Sequence, residues 1–430
     1  MNSLHQLTGT RLIFLYIVVS FAYIIWGICG SLLPPFFPDE AKSKGASISQ
    51  SGFVFGVFSL AGFISSPFFG KYGGRVSPRF LYIPGSFAIA ACTLVFGTLH
   101  FIDNLSIFLS FSYFLRIIQG VAIAAGWSSL LAALITIFPD KVAKIVAATE
   151  FFYGIGYMLG PAFGALLYNL DGFVLPFEII GLLALVVTIW MIIIIPPVNA
   201  STPEPIGDNK FGPITLIKIP AVLLSLLDTF FASFGMGLIE AMMGLHLQSV
   251  GATINTVSTG FFIFGGCYMV STVICGYIGD RISNPTLLSI AGNIGLIIAY
   301  LMIGPLPFLP IQPNIPLSIT SMALYAFSMG MTYVSAFTRA EKSATKYGFP
   351  EDTKTYQLIS GLWIAFDLLG NFLGPVIGGI AVEMLGFRYT TLIFWIPYLG
   401  MLIADVIETY GYNCEFYPNL EQYTKVKTFE

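Results

Sequence analysis

The chain has 430 residues, a length that would hold about two to four soluble domains. Hydrophobic residues make up 56% of it and charged residues only 10%, against about 25% charged in an ordinary soluble domain. A net charge of −3 and a mean hydropathy of +0.84 exclude a disordered chain and a nucleic-acid binder, and make lipid the main solvent.

A membrane helix needs about 20 mostly apolar residues. Six stretches of that kind are predicted near residues 12–33, 50–70, 80–99, 106–137, 142–168 and 174–195. Six more follow near 215–247, 255–278, 286–306, 316–338, 356–382 and 389–408. The first is preceded only by a short polar leader with Arg11 and runs into Pro34, Pro35 and Pro38. With no small-residue cleavage site, it reads as a retained span and not as a secretory signal. A polar stretch, Asn199 to Gly212, separates the two sets. The expected organisation is an N-terminal six-helix half (1–196), a cytosolic linker (197–213), a C-terminal six-helix half (214–408) and a cytosolic tail (409–430). Cys29, Cys92, Cys267 and Cys275 lie in apolar runs and Cys414 in the tail, with no disulfide or metal spacing among them.

Twelve spans put both termini on one face. Fifteen Lys and Arg then fall on that face and three, Lys42, Lys44 and Arg388, on the other. The positive-inside rule makes the richer face cytosolic. One basic residue, Arg116, remains inside a span.

The halves repeat in sequence. Gly156-Tyr-Met-Leu-Gly160-Pro161-Ala-Phe-Gly164 returns as Gly370-Asn-Phe-Leu-Gly374-Pro375-Val-Ile-Gly378, and Gly70-Lys-Tyr-Gly-Gly74-Arg75 as Gly276-Tyr-Ile-Gly-Asp280-Arg281. The first element falls in the fifth span of each half and the second after the second span. Two parallel six-helix repeats are a transporter plan, with the substrate site between them near mid-membrane. Glycines let helices approach closely, and a proline removes one backbone donor and bends the helix.

Four acids within predicted spans are singled out as candidates: Glu150, Asp228, Glu240 and Asp367. Each is costly in lipid, so each is expected to face the central cavity or a partner. An acid-lined cavity without lysines suits a cationic substrate and proton exchange. Asp228 and Glu240 are twelve residues apart, about 18 Å along one helix, too far for one small group to meet both. Arg116 needs a carboxylate or a wet cavity, unless it is an anchor reaching for the interface. Trp26, Phe151, Phe152, Tyr153, Tyr333 and Trp363 are aromatic candidates for a cation site. His246 is expected at an interface at the end of the seventh span. Asn104-Leu-Ser106 is a sequon on the lumenal face. Asn199-Ala-Ser201 is a second, on the cytosolic face. No metal cluster or nucleophile constellation appears in the spans, so no enzymatic activity is expected.

These residues resemble the major facilitator superfamily over essentially the whole chain. Gly70 to Arg79 reads GKYGGRVSPR, similar to the family's loop element, with Arg75 and Arg79 kept and Gly74 in place of the usual Asp. The copy GYIGDRISNP keeps Asp280 and Arg281. The resemblance implies a cytosolic latch, though Arg75 and Arg79 also serve as plain topogenic charge. Arg116-Ile-Ile-Gln119-Gly120 resembles an element tied to proton coupling. The Gly156–Pro161 element resembles the antiporter motif, and its return at Gly374 and Pro375 resembles the vesicular amine transporter family. Pro35-Phe-Phe-Pro38-Asp39-Glu40, Lys44-Gly45-Ala46-Ser47, Ala148-Thr149-Glu150 and a short first lumenal loop are most similar to its polyamine transporter-like branch. Glu240 in Leu238-Ile239-Glu240-Ala241 matches the seventh-span element whose Glu contacts the amine in monoamine carriers. The first-span Asp of those carriers falls near Trp26, their tenth-span Asp falls at Tyr333, and Asp367 stands about one turn from their eleventh-span acid. These departures speak against a monoamine carrier.

The expected fold is all-α, twelve transmembrane helices in two six-helix pseudo-repeats. The expected activity is proton-coupled antiport of an organic cation, a polyamine or other amine, by alternating access, with no cofactor beyond a proton gradient. Glu240, Asp228, Asp367, Tyr333 and Trp26 are the substrate candidates, and Glu150, Arg116 and Glu240 the proton-coupling ones. The partners expected are the cationic substrate, protons and the lipid bilayer, with no nucleic acid, around a monomer in a vesicle or endolysosomal membrane. A multidrug or other small-molecule antiporter, or a sensor on the same fold, are the alternatives.

Overall fold

A computed structural model describes residues 9–72, 79–137, 142–195, 213–279, 282, 284–305, 312–349 and 353–411. The N-terminal half comprises α1 (Gly9–Ser31), α2 (Phe37–Ser43), α3 (Ile48–Tyr72), α4 (Arg79–Thr98), α5 (Leu105–Ile137), α6 (Val142–Asp171) and α7 (Val174–Ile194). The C-terminal half comprises α8 (Pro213–Ile217), α9 (Pro220–Ser249), α10 (Ile254–Gly279), α11 (Thr286–Ile303), α12 (Ile315–Lys346), α13 (Thr353–Leu385) and α14 (Phe387–Gly411). Twelve of these are long and apolar enough to cross a membrane, as the sequence predicts, and α2 and α8 are short. The described residues contain no strand. Hydrocarbon enforces this, because a helix satisfies its backbone polar groups internally.

Three elements differ from expectation. Pro38 stands in the first turn of α2 with Asp39 and Glu40, an N-terminal composition that starts a helix in what reads as a loop. Pro220 lacks an N–H and holds Ile219 in extended backbone, so α8 and α9 are separate. Polar residues carry α12 to Lys346, well past the predicted end near 338.

The repeat is visible in the turns. Gly45 and Gly251 both have positive φ, 89° and 92°, and close the same turn, with Ala46 N donating to Ala41 O at 2.9 Å and Ala252 N to Leu247 O at 3.0 Å. The Gly-Ala-Ser-Ile and Gly-Ala-Thr-Ile strings are the sequence trace of that symmetry. Gly172 and Gly386 end α6 and α13 in the same left-handed way.

Within each half one helix pair is fused by glycines. A methyl group at Gly156 would stand 1.9 Å from the Ile24 oxygen, and one at Gly27 2.4 Å from the Tyr153 oxygen, so α6 lies directly on α1. In the second half, methyl groups at Gly370 and Gly374 would stand 2.3 and 2.2 Å from the Phe230 and Phe234 oxygens, so α13 lies directly on α9. The prolines of the same elements face the opposite half. Ser258 on α10 donates to the Pro161 carbonyl at 2.7 Å, and a methyl group at Gly52 on α3 would come within 2.4 Å of the Pro375 carbonyl.

The halves are sealed at the face distal to the chain ends. There Gln248 donates to Asp39 at 2.5 Å, Ser49 N donates to Glu383 at 3.1 Å, the Ser49 hydroxyl also donates to Glu383, and Asn169 donates to Asn255.

The C-terminal half has a polar core. Arg339 on α12 is buried and binds Asp228 on α9 at 2.5 Å, with Asp405 at 2.6 Å and Glu408 at 3.1 Å on α14. It also donates to Ser225 at 2.7 Å. Asn293 on α11 donates to Asp228 at 3.0 Å and to Asp405 at 2.9 Å. This corrects one expectation: Arg339 is no loop cation, which leaves fourteen basic residues on the terminal face. Three tyrosines converge nearby on the α9 backbone: Tyr300 donates to Gly235 O at 2.8 Å, Tyr398 to Phe231 O at 3.0 Å, and Tyr325 to Ala232 O.

Two stability predictions follow from this packing. Gly156→Ala is expected to cost about 1–3 kcal/mol by overpacking. Gly276→Ala, where a methyl group meets nothing within 4 Å, is expected to be neutral, with chemical unfolding in nanodiscs as the measurement for both. Arg339→Met leaves three acids without their cation and is expected to cost about 3–5 kcal/mol, partly recovered when Asp228 and Asp405 are changed to Asn in the same chain.

Candidate functional site

The structure brings Asp367 and Tyr333 together. Asp367, on α13, accepts from Ser233 on α9 at 2.5 Å, from the Tyr333 hydroxyl on α12, and from Asn371 one turn further along α13 at 3.3 Å. All three donors go to Oδ1. The Ser233 and Tyr333 hydroxyl oxygens also stand within hydrogen-bonding distance of each other, and with both protons directed to Asp367 the carboxylate is what holds the pair together. Trp363 packs edge-on against Tyr333 with ring centroids 5.1 Å apart, and Tyr268 on α10 meets Tyr333 edge-on at 6.2 Å.

Glu240 is half-buried on α9. Its carboxylate makes no hydrogen bond or ion pair among the described residues, yet it lies within electrostatic range of Arg116 across the two halves and of Asp367. Arg116 is 3% exposed, so it is not an anchor reaching for the interface. Its guanidinium stands over the Phe58 ring at 4.4 Å and donates to Val54 O at 3.4 Å and to Gln119 at 3.2 Å. Gln119 in turn donates to Thr93 at 3.1 Å, which fixes the group between α3, α4 and α5. No carboxylate among the described residues pairs with it directly. Arg116 and Glu240 are therefore opposite charges, one from each half, within electrostatic range and not in direct contact.

The other candidates lie elsewhere. Asp228 belongs to the Arg339 cluster and not to the Asp367 group. Trp26 is buried in the N-terminal half, where its indole donates to Ser86 at 3.3 Å, and it borders a small cavity with Cys29, Phe58 and Gln119. Glu150 is on α6, but its side chain lies outside the described residues. His246 is buried and stacked on Phe387 with centroids 3.9 Å apart, not exposed at an interface. Among the conformational motifs, Gly156, Gly160 and Pro161 and their copies Gly374 and Pro375 sit at the helix contacts described above. Gly70 is in α3, whereas Arg75, Asp280 and Arg281 fall outside the described residues. Arg79 caps the end of α7, donating to Ile192 O at 2.6 Å and to Ile195 O at 3.2 Å, where a cation complements the helix dipole.

Sequence reasoning missed Ser233, Asn371, Arg339, Asp405 and Glu408. Small polar residues in spans are common, and only the four-residue spacing of Trp363, Asp367 and Asn371 would have marked one of them.

Comparison with known proteins agrees with this architecture. The model of the Major Facilitator Superfamily matches residues 15–350. Human MFS-type transporter SLC18B1 is 28% identical over 384 residues, 88% of this chain and 82% of that protein. The mouse protein of that name is 30% identical over 370 residues, 84% and 78%. The chromaffin granule amine transporter of rat is 22% identical over 374 residues, 86% and 66%. Among solved structures, a bacterial homologue of the human lysosomal transporter Spinster, inward-facing and occupied, superposes with a TM-score of 0.73 at 13% identity, covering 93% of this chain and 97% of that one. With twelve membrane-crossing helices in two repeats and a family match over most of its length, this chain belongs to the Major Facilitator Superfamily and is a membrane transporter, not an enzyme.

Proposed function

We propose that the chain exchanges small organic cations, amines and polyamines among them, for protons by alternating access. The observation that carries this reading is Glu240, a half-buried carboxylate to which no described side chain donates, within electrostatic range of a guanidinium from the opposite half. Such a group accepts either a proton or a cation. In a low-dielectric site the two occupancies exclude each other, because each satisfies the same single charge. Loading of one then releases the other. Asp367, with its aromatic neighbours Tyr333 and Trp363, offers a second acceptor and ring faces for the rest of the substrate.

The names of the amine transporter relatives support an amine substrate. In this reading the fourteen basic residues mark the cytosolic face, both termini are cytosolic, and the membrane is that of an acidic vesicle. The chain works as a monomer without a cofactor, driven by the proton gradient. One observation favours a second reading, a multidrug antiporter: Multidrug resistance protein 2 of Bacillus subtilis is 21% identical over 366 residues. Competition between spermine and bulky monovalent amines separates the two.

The test is uptake of labelled spermidine by proteoliposomes under an imposed pH gradient. The wild type is expected to accumulate it and to lose accumulation when the gradient is collapsed. Glu240→Gln, neutral at every pH, is expected to reduce uptake to background. Normal gradient-driven uptake by Glu240→Gln would falsify the assignment.

A further inference from the structure

Trp363, Asp367 and Asn371 follow one another at four-residue spacing on α13 and so share one face. The Asn371 amide nitrogen donates to Asp367 Oδ1 at 3.3 Å. That bond fixes which way the amide points, since the reverse orientation would set its oxygen against a carboxylate. The Asn371 oxygen is then a buried acceptor with no donor among the described residues. Buried acceptors are nearly always bonded, and leaving one bare is costly. Asp367 presents a matching acceptor, because among the described residues its three donors all go to Oδ1 and none to Oδ2.

Two open acceptors, one of them anionic, stand one helical turn apart. Arg116 does not serve them, since its hydrogen bonds among the described residues go to Val54 and Gln119. What fits is a positive head with at least two N–H groups, one for each acceptor. A primary ammonium has three, a tertiary ammonium one and a quaternary ammonium none. The Tyr333 and Trp363 rings beside Asp367 supply a wall for the methylenes that follow.

We propose that Asn371 is a specificity-determining residue that selects primary and secondary ammonium groups over tertiary and quaternary ones. This rests on the proposed cation exchange and narrows it from organic cations in general to those with an ammonium end carrying at least two N–H groups.

The test is isothermal titration calorimetry of the purified full-length protein with 1,4-diaminobutane and with its hexamethyl bis-quaternary counterpart. The wild type is expected to prefer the diamine by about tenfold or more, the loss anticipated for an unmade buried hydrogen bond. Asn371→Leu and Asn371→Ala, two variants of different bulk, are expected to weaken diamine binding by about tenfold while leaving the quaternary ligand within about twofold, so that the preference falls about tenfold to what Asp367 alone confers. An undiminished preference in the variants overturns the proposal. So does a proportional loss of both ligands, which marks a merely structural role. Equal binding of the two ligands by the wild type overturns it and leaves the proposed exchange intact, whereas a wild type that binds neither ligand and takes up no spermidine removes both.

Discussion

Hydrocarbon does not solvate charge, and the placement of every ionised group in this chain follows from that. An ion in a span must turn inward and find either a partner or a polar space. The structure uses both solutions, in different places. Arg339 takes the first, with three carboxylates, a serine and a neighbouring asparagine gathered from α9, α11 and α14. Glu240 takes the second, half-buried and without a hydrogen-bonded partner among the described residues. The first arrangement ties helices of one half into a unit. The second leaves a carboxylate that the proposed exchange uses as its acceptor.

The glycine and proline elements divide another labour. Their glycines fuse α6 to α1 and α13 to α9 inside each half, at distances that leave no room for a methyl group. Their prolines meet the other half, through Ser258 in one case and Gly52 in the other. A single short motif thus fixes the internal packing of a half and forms part of the surface on which it meets its partner. The same element in both halves makes the two inter-half seams near copies of each other.

Much of this was legible in the sequence, for physical reasons. Span length, the segregation of basic residues and the repeated Gly-Pro elements report constraints that act along the chain, so twelve helices and two halves are readable without coordinates. The cluster at Arg339 was not, because its members come from four separate helices. Arg339 follows a predicted span end, in a polar run that looks like the loop it is not. Asp405 sits in an apolar stretch but reads as ordinary without its partner. The Asp367 group was half legible: the acid and Tyr333 stood out, while Ser233 and Asn371 are residue types that spans carry for many reasons. Asp228 shows the opposite failure, since an acid in a span suggests a site until the guanidinium beside it is seen. The turns at Gly45 and Gly251 were written plainly as Gly-Ala-Ser-Ile and Gly-Ala-Thr-Ile, and only the structure shows why the two strings agree.

The pairing of Arg116 with Glu240 across the halves has an electrical consequence. The guanidinium belongs to one wall and the carboxylate to the other, so the space between them is polarised even when nothing occupies it. A cation arriving at Glu240 meets an internal rival already in place. Arg116 is held by Gln119 and stacked on Phe58, so it acts on Glu240 through space and not through a bond. In the proposed exchange, an arriving cation supplies the direct partner that Arg116 does not.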